Sequence, residues 1–375
     1  MSKKAYIGVD GVAKAVKKSY VGIDGVARRI KKAYIGIGGV ARPCWSGAEL
    51  VYFGTVTGLS LARFNLAATS VGGYALFGGG GKSGGYSYDV DAYNASLTRT
   101  KPTVLYRERT EHSAASVGSY ALFAGGGYND GESYIALSSV ETYNESLTRS
   151  SATDLSKKRG NMAATSTGDY ALFGGSSDGA VDAYNQSLTR SNPTGFGSTT
   201  YGMAAASVGN YALFGGGTPG NSDAISTVLA YDKSLTKTLP NALSVARANL
   251  AAVSAGNYAL FGGGSKTDLT YDSYPTVDAY DKSLTRTILV GLSEARSKIA
   301  TASNGGYAMF CGGSYGAVVV SSADAYDEYL VHTVPNGLST ARDRLAATSI
   351  GNYALFGGGA KSTTFYTTVD AYKVT

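Results

Sequence analysis

Carboxylates recur at regular intervals along this 375-residue chain, each two residues before a tyrosine. They are Asp91, Glu141, Asp182, Asp278, Asp324 and Asp370. Two carboxyl groups that act together as acid and base lie within about 10 Å of each other. Spacings of 41 to 50 residues, with one double interval of 96 between Asp182 and Asp278, instead predict a structural position repeated in similar units. We therefore expect no catalytic pair among them.

Residues suited to metal binding or nucleophilic chemistry are few. Two histidines and two cysteines occur: His112, His332, Cys44 and Cys311. None has the C-x-x-C or similar spacing that metal sites use, and two cysteines make no disulfide framework. The segment GGGGKS at 78–83 lacks the first glycine of a phosphate-binding loop, because Leu76 stands there, and it opens no helix. We expect no metal, no cofactor and no catalytic residue.

The composition favours many short strands joined by tight turns. The chain contains 51 Gly and 29 Tyr, with 43% apolar and 16% charged residues. The glycines follow no Gly-X-Y period, which excludes collagen, and the apolar content is too high for a disordered chain. We see no signal peptide and no apolar stretch of the roughly 18 residues that a membrane span needs. We expect synthesis in the cytoplasm and no membrane insertion.

Two short patterns recur seven times in the same phase, and they set the architecture. The pattern Y-A-[LM]-F-x-G-G, with Ser176 in place of the last glycine in the third unit, begins at Tyr74, Tyr120, Tyr170, Tyr211, Tyr258, Tyr307 and Tyr353. A second pattern, close to V-D-A-Y, ends at Tyr93, Tyr143, Tyr184, Tyr231, Tyr280, Tyr326 and Tyr372. Each unit reads as four short strands, for example NLAAVSAG, YALFGGG, TVDAYD and SLTRTILV. Four antiparallel strands in about 47 residues predict one blade of a β-propeller.

These units resemble kelch repeats. The matching features are a double glycine after the second strand, V-[DE]-x-Y in the third, and a basic residue before the first. The basic residues are Arg63, Arg109, Arg159, Arg247, Arg296 and Arg342, with Thr200 in the fourth unit. The resemblance covers residues 50–375 and implies an all-β, seven-bladed kelch-like propeller. One feature departs from it: where kelch units carry an outer tryptophan, this chain has Arg99, Arg149, Arg190, Lys237 or Arg286.

The two ends of the repeat region complement each other. The last unit stops at VDAYKVT and lacks a fourth strand, whereas LVYFGTVTGLSLAR at 50–63 aligns with the stretches before later first strands. We expect residues 50–58 to complete the last blade, because joining the two ends in one sheet removes exposed edges.

The first 45 residues carry a separate, basic repeat. Ten Lys or Arg against two Asp give this segment a net charge of +8, whereas the rest of the chain has a net charge of −2. Three 14-residue units read KKAYIGVDGVAKAV, KKSYVGIDGVARRI and KKAYIGIGGVARPC. Apolar runs on either side of Asp-Gly or Gly-Gly predict three β-hairpins, with Val9 opposite Val12 in the first. We therefore expect two domains, at 1–45 and 46–375.

Such small hairpins have little to bury against and should need a partner. Their repeat resembles the leading segments of tail or appendage proteins of bacteriophages and prophages of Gram-positive hosts. That resemblance implies attachment to other virion proteins, or homo-oligomerisation, through Tyr6, Ile7, Tyr20, Val21, Tyr34 and Ile35. A solvated basic tail and a nucleic-acid-binding arm are alternatives, of which the arm is the less expected.

The loops joining second to third strands differ among the units, whereas the other turns hardly change. In a blade these loops emerge on the same rim as the connections between blades, so a rigid scaffold presents variable loops on one side. They are rich in tyrosine: Tyr86, Tyr88, Tyr128, Tyr134, Tyr271, Tyr274, Tyr315 and Tyr366. Rigid rings with a polar tip suit stacking on sugars or contact with proteins.

The sequence as a whole favours a non-enzymatic virion protein. We expect the N-terminal repeats to anchor it to the particle and the rim to bind a host-surface glycan or protein. One alternative is an intracellular kelch-type interaction module. Another is an enzyme that uses the central channel, since some kelch-like propellers are copper oxidases with tyrosine and histidine ligands.

Overall fold

We analysed a computed structural model of the chain. It describes residues 49–375 except 177, 221 and 267–271, and within the first 48 residues it describes the backbone of six strands. Every regular element in the described residues is a β-strand. Among these residues there is no helix long and apolar enough to cross a membrane. The chain divides into two units, one of residues 1–51 with 374 and 375, the other of residues 52–373.

The first unit contains three antiparallel hairpins, each a separate two-stranded sheet. Their strands are Ala5–Val9 with Val12–Val16, Tyr20–Ile23 with Val26–Arg29, and Lys32–Ile37 with Val40–Ser46. In the first hairpin Val9 pairs with Val12, as the sequence predicts. The expected anchoring residues, Tyr6, Ile7, Tyr20, Val21, Tyr34 and Ile35, lie in these strands, but their side chains are outside the described part of the chain.

The second unit consists of seven four-stranded sheets, which we number as blades 1 to 7 in chain order. The first strands are Ala67–Val71, Ser113–Val117, Ala163–Ser166, Ala204–Val208, Ala251–Ala255, Ala300–Asn304 and Ala346–Ile350. The second strands are Tyr74–Gly78, Tyr120–Ala124, Tyr170–Gly174, Tyr211–Gly215, Tyr258–Gly262, Tyr307–Cys311 and Tyr353–Gly357. Each first strand lies against the first strands of both neighbouring blades, so these strands surround the central axis.

The third and outer strands complete each blade away from the axis. The third strands are Val90–Asn94, Val140–Asn144, Val181–Asn185, Val228–Tyr231, Val277–Asp281, Ala323–Tyr326 and Val369–Val374. The outer strands are Arg99–Thr100, Arg149–Ala152, Arg190–Ser191, Lys237–Thr238, Arg286–Ile288, His332–Thr333 and Leu50–Val56. Four loops between second and third strands form small hairpins, Gly81–Lys82 with Gly85–Tyr86, Gly127–Asn129 with Tyr134–Ala136, Ser314–Tyr315 with Val318–Val319, and Ala360–Lys361 with Thr364–Phe365.

The hydrophobic core lies between the blades rather than within any one of them. In one cluster Leu76 and Val90 of blade 1 pack with Phe123 and Tyr143 of blade 2. The glycine that ends a second strand makes this packing possible, because a Cβ at Gly78 would lie 2.8 Å from the Phe123 ring. Each sheet thus buries both faces against its neighbours, which is why the second and third strands are nearly continuous apolar runs.

The ring closes through the two ends of the repeat region, as the sequence predicts. Strand Leu50–Val56 is the outermost strand of blade 7 and pairs with Val369–Val374. The Tyr52 hydroxyl donates to Asp370 Oδ1 at 2.6 Å. Burial, together with Asp370, raises the pKa of Tyr52 to about 12. The Leu59 amide donates to the Thr367 carbonyl at 2.7 Å, so the linker into blade 1 is also fixed to blade 7.

A buried tyrosine in every third strand holds the linker between blades. In blade 1 the Tyr93 hydroxyl donates to the Thr57 carbonyl at 2.8 Å, although the ring itself is fully buried. The equivalent donors are Tyr143, Tyr184, Tyr231, Tyr280, Tyr326 and Tyr372. The recurring tyrosine of the V-D-A-Y pattern therefore buries its ring in the core while its hydroxyl keeps a hydrogen bond to the linker.

Candidate functional site

A buried ion pair fixes the end of the linker before each of six first strands. The arginine and carboxylate side chains are at most 2% exposed and 2.5 to 2.8 Å apart. The pairs are Arg63–Asp91, Arg109–Glu141, Arg159–Asp182, Arg247–Asp278, Arg296–Asp324 and Arg342–Asp370. In this arrangement all six carboxylates are engaged in structural contacts.

Most of these carboxylates have a second partner on the outer strand. Arg99, Arg149, Arg190 and Arg286 approach them at 3.6 to 3.8 Å. In blade 6, His332 Nε2 lies 2.7 Å from Asp324 Oδ1. The pKa of Asp324 lies below its usual range. Burial alone would raise this pKa, but the hydrogen bond with His332 and the charge of Arg296 lower it by more.

The outer basic residues also bind the linker. Arg99 Nη1 donates to the Gly58 carbonyl at 2.6 Å, and Lys237 Nζ donates to the Gly195 carbonyl at 2.9 Å. The basic residues that stand where kelch repeats have tryptophan thus connect the outer strand to the preceding linker. Their role in the described residues is structural.

Two residues after each buried arginine, and after Thr200 in blade 4, the backbone turns through the left-handed region. The seven residues at this position have φ between 48° and 63°. They are Asn65, Glu111, Asn161, Gly202, Asn249, Lys298 and Arg344, and we call them the mouth ring. A left-handed residue other than glycine costs about 1 kcal/mol or more, so six such residues at one position indicate that the surroundings impose it.

Hydrogen bonds between neighbouring blades impose this conformation. The Asn65 amide donates to the Arg344 carbonyl at 2.9 Å, and the Asn161 amide donates to the Glu111 carbonyl at 2.8 Å. The same bond joins Glu111 to Asn65, Asn249 to Gly202, and Lys298 to Asn249. The mouth ring therefore encircles the channel where the first strands begin. Seven Cα atoms about 5.5 Å apart form a ring on the order of 12 Å across, measured between Cα atoms.

The loops between second and third strands lie beside the mouth ring. In six of the seven blades, the residue just before the mouth-ring residue pairs with the residue after the second-strand glycines, as in Phe64 with Gly81 and Thr110 with Gly127. The variable loops and the linkers between blades therefore share one rim. The tight turns after the first and third strands lie at the opposite face.

The predicted tyrosines lie on these loops with different degrees of exposure. Tyr88, Tyr134 and Tyr315 are 48%, 44% and 50% exposed. Tyr86, Tyr128, Tyr274 and Tyr366 are half-buried, and Tyr271 lies outside the described residues.

Tyr134 is the predicted tyrosine that reaches the mouth ring. Its hydroxyl lies 3.4 Å from Glu111 Oε2, which also accepts a hydrogen bond from Asn161 Nδ2 at 3.0 Å. Burial and the Glu111 carboxylate raise the pKa of Tyr134 above that of a free tyrosine. The close approach depends on a glycine, because a Cβ at Gly160 would lie 2.8 Å from the Tyr134 hydroxyl.

An aromatic stack supports the mouth ring at the seam between blades 7 and 1. The rings of Phe64 and Phe365 stack with centroids 4.6 Å apart. The Arg344 guanidinium lies over the Phe64 ring at 4.9 Å, and Arg344 Nε donates to Asp343 Oδ1 at 3.0 Å. The side chain of Arg344 is thus held from two directions.

The channel below the mouth ring is lined by small residues. Every first strand turns its second and fourth residues toward the channel: the second is alanine in six blades and Thr301 in blade 6, and the fourth is always serine. At the far end, Ser70, Ser254, Ser303 and Ser349, with the glycines of the following turns, line a cavity of about 340 Å³. Ser207 and Ser254 are hydrogen-bonded to each other across two blades.

His112, His332 and Cys311 lie in different places, and each has its own structural surroundings. His112 occupies the buried position that leucine, methionine or isoleucine fills in the other blades, and its ring packs on Phe123. Burial, with a smaller effect of Arg109, lowers the pKa of His112 to about 3. Burial raises the pKa of the Cys311 thiol. In the described part of the chain, no three histidine, cysteine or acidic residues form a metal-binding group.

Blade 4 has the same fold without the ion pair. Thr200 stands in place of the arginine, Leu229 in place of the carboxylate, and both are buried. Phe196 fills the adjoining space, with its ring 5.4 Å from that of Phe214. The Thr200 carbonyl still accepts from the Ser176 amide at 2.8 Å. The link between blades is therefore a backbone interaction that does not require the arginine side chain.

Comparisons with known proteins agree on fold alone. No protein-family model matches the chain, and no curated protein matches it in sequence. Among solved structures, the chain is similar to one named "Structure of YjhT", with a TM-score of 0.55 and 12% identity. The match covers 85% of this chain and 98% of the other. Likeness at this identity concerns the propeller fold and carries no function across.

The mouth ring is a feature that the sequence prediction missed. A signal for it exists in the repeats, because this position changes from amide to carboxylate, glycine, lysine and arginine, whereas the arginine two residues earlier and the first strand that follows change little. A position that varies in chemistry within a uniform frame is typical of a binding surface.

Proposed function

We propose that this protein is a non-enzymatic binding protein whose mouth ring and surrounding loops hold a glycan or protein of a host surface. The observation that carries the proposal is the mouth ring itself. One backbone conformation, repeated seven times, presents different polar groups around a single opening. A scaffold that keeps its geometry while its side chains differ is suited to recognition.

Exposed aromatic rings on the loops of the same rim support this proposal. Tyr88, Tyr134 and Tyr315 project from three different blades. Tyrosine rings lose little conformational entropy on binding and combine an apolar face with a hydrogen-bonding tip. The amides of the mouth ring add donors and acceptors that suit sugar hydroxyls.

We further propose that the N-terminal hairpins attach the protein to a virion, with other virion proteins or further copies of the chain as partners. Each hairpin is a two-stranded sheet, and an isolated two-stranded ribbon is marginal in water. The three-fold 14-residue repeat and its resemblance to phage appendage segments support this role. The location would then be the virion, with no membrane insertion and no nucleic-acid partner.

Deleting residues 1–45 tests the attachment, and alanine at Tyr88, Tyr134 and Tyr315 tests the rim. We expect the deletion to abolish incorporation into sedimented particles while the propeller stays folded. We expect the triple alanine variant to be incorporated normally but to lose binding to host cells. Lys233→Gln, on the opposite face, is a matched control. Normal incorporation of the truncated protein would refute the proposal that residues 1–45 attach it to the virion. Full cell binding by the alanine variant would refute the proposal that the rim binds the host surface.

A further inference from the structure

Arg344 is held in one orientation with its donor edge free. Its Nε is bonded to Asp343, and Phe64 covers one face of the guanidinium. Neither of its Nη groups has a hydrogen-bond partner among the described residues, and the side chain is 31% exposed. A planar fork with two parallel N–H donors matches a carboxylate or sulfate bidentately.

The charges around the mouth ring are unevenly distributed. Lys298, in the blade before Arg344, is exposed, and its ammonium makes no ion pair with a described residue. The one acidic member of the ring, Glu111, lies in blade 2 and is already bonded to Asn161 and Tyr134. Blades 6 and 7 therefore hold both basic members of the ring. The Asp343 carboxylate beside Arg344 is only 8% exposed and is already bonded to Arg344 Nε.

We propose that Arg344, assisted by Lys298, binds the anionic group of an acidic sugar, a carboxylate or a sulfate ester. The inference rests on the proposed function, because it names the ligand class of the same rim. The member of the ring next to Arg344 on its other side is Asn65, whose planar amide suits pairing with vicinal hydroxyls. The stacked rings of Phe64 and Phe365 restrict the guanidinium, which lowers the entropy lost on binding.

Titration of the full chain with small sugars tests the assignment and avoids polyanions, which the basic N-terminal segment would bind without specificity. The probes are D-glucuronate, D-glucose 6-sulfate and D-glucose, observed by saturation-transfer NMR. We expect both charged sugars to bind more tightly than glucose. Arg344→Gln should weaken the charged sugars about tenfold and leave glucose unchanged. Arg344→Lys, which keeps the charge and loses the fork, should recover only part of the affinity.

Matched variants separate this inference from the proposed function. Lys233→Gln removes one exposed positive charge from the opposite face and should bind all three sugars as the unchanged protein does. Equal affinity for glucose and the charged sugars, or unchanged affinity in Arg344→Gln, would overturn the anionic site. Tighter binding of an N-acetylated glutamate peptide than of glucuronate would overturn the choice of a sugar. If Arg344→Gln has no effect but the triple tyrosine variant still loses cell binding, the anion-binding role of Arg344 is wrong and the proposed binding function of the rim stands.

Discussion

Arg247 Nη2 lies 2.8 Å from Asp278 Oδ2, and both side chains are fully buried in blade 5. Ser244 donates to the same carboxylate through its amide and its hydroxyl. Breaking a buried pair leaves one charge without compensation, whereas replacing both partners with apolar groups removes both desolvation penalties. In blade 4 the chain carries two uncharged residues at these positions, Thr200 and Leu229, both buried.

A double-mutant cycle in blade 5 tests whether the blade tolerates the uncharged threonine and leucine that blade 4 has in place of the ion pair. Arg247→Thr and Asp278→Leu should each lower the free energy of unfolding by about 3–5 kcal/mol, because each leaves a buried charge. The double variant should be more stable than either single variant. Urea unfolding followed by circular dichroism measures all four proteins. Additive losses in the double variant would show that the pair is not coupled.

His112 should make stability depend on pH. Its pKa is lowered to about 3 by burial, whereas in the unfolded chain it is about 6.5. The unfolded state therefore binds the proton first, and stability falls as pH drops from about 6.5 toward 3, by about 1.4 kcal/mol per unit. His112→Leu should be more stable than the original protein by about 1–3 kcal/mol at pH 7. That difference should grow by about 1.4 kcal/mol for each unit of acidification below 6.5.

Unfolding at pH 7, 6 and 5 measures this difference. Met162→Leu, at the equivalent position of blade 3, changes no titratable group and should shift stability by the same amount at each pH. A pH-independent difference between His112→Leu and the original protein would contradict the argument.

The fold could be predicted well because every blade repeats the same local sequence patterns. Two-residue alternation, paired glycines and the V-D-A-Y pattern occur seven times, so a weak signal in one unit is supported by the other six. The closing strand was predicted for a related reason, since LVYFGTVTGLSLAR aligns with the stretches that precede later first strands in this chain. The seam contacts of Tyr52 and Leu59 confirm it.

The site was harder to predict because its geometry depends on neighbouring blades. Nothing local marks Lys298 or Arg344 as left-handed, since hydrogen bonds between adjacent blades impose that conformation. The burial of Arg63 with Asp91 is likewise a tertiary property, because arginine is usually exposed. The loop tyrosines could be found by composition, but their exposure could not. The sequence also gave no sign that Tyr134 would reach across to Glu111.

The closing strand should be necessary for a stable ring. Removing residues 1–58 deletes Tyr52, the Thr57 carbonyl that Tyr93 binds, and the Gly58 carbonyl that Arg99 binds. It also leaves the strand Val369–Val374 with an open edge, which favours aggregation. We expect the midpoint of thermal unfolding to fall by roughly 10 °C or more.

Two controls accompany that truncation. Removing only residues 1–48 retains the strand and should leave the midpoint of the propeller unchanged. Tyr52→Phe removes a single hydrogen bond to Asp370, which keeps Arg342 and Ser339, and should cost only about 1 kcal/mol. If the longer truncation melts like the shorter one, the seam is closed by other contacts.

Gly160 should control the position of Tyr134 at the mouth ring. In Gly160→Ala, the new Cβ would lie 2.8 Å from the Tyr134 hydroxyl, so the ring must move away from Glu111. A tyrosine displaced from this site should titrate at lower pH than in the original protein, because burial and the Glu111 carboxylate both raise its pKa. Ultraviolet absorbance at 295 nm between about pH 9 and pH 12 measures this shift. Gly73→Ala, with nothing within 4 Å, should titrate like the original protein. An identical curve for Gly160→Ala would mean that Tyr134 does not depend on this glycine.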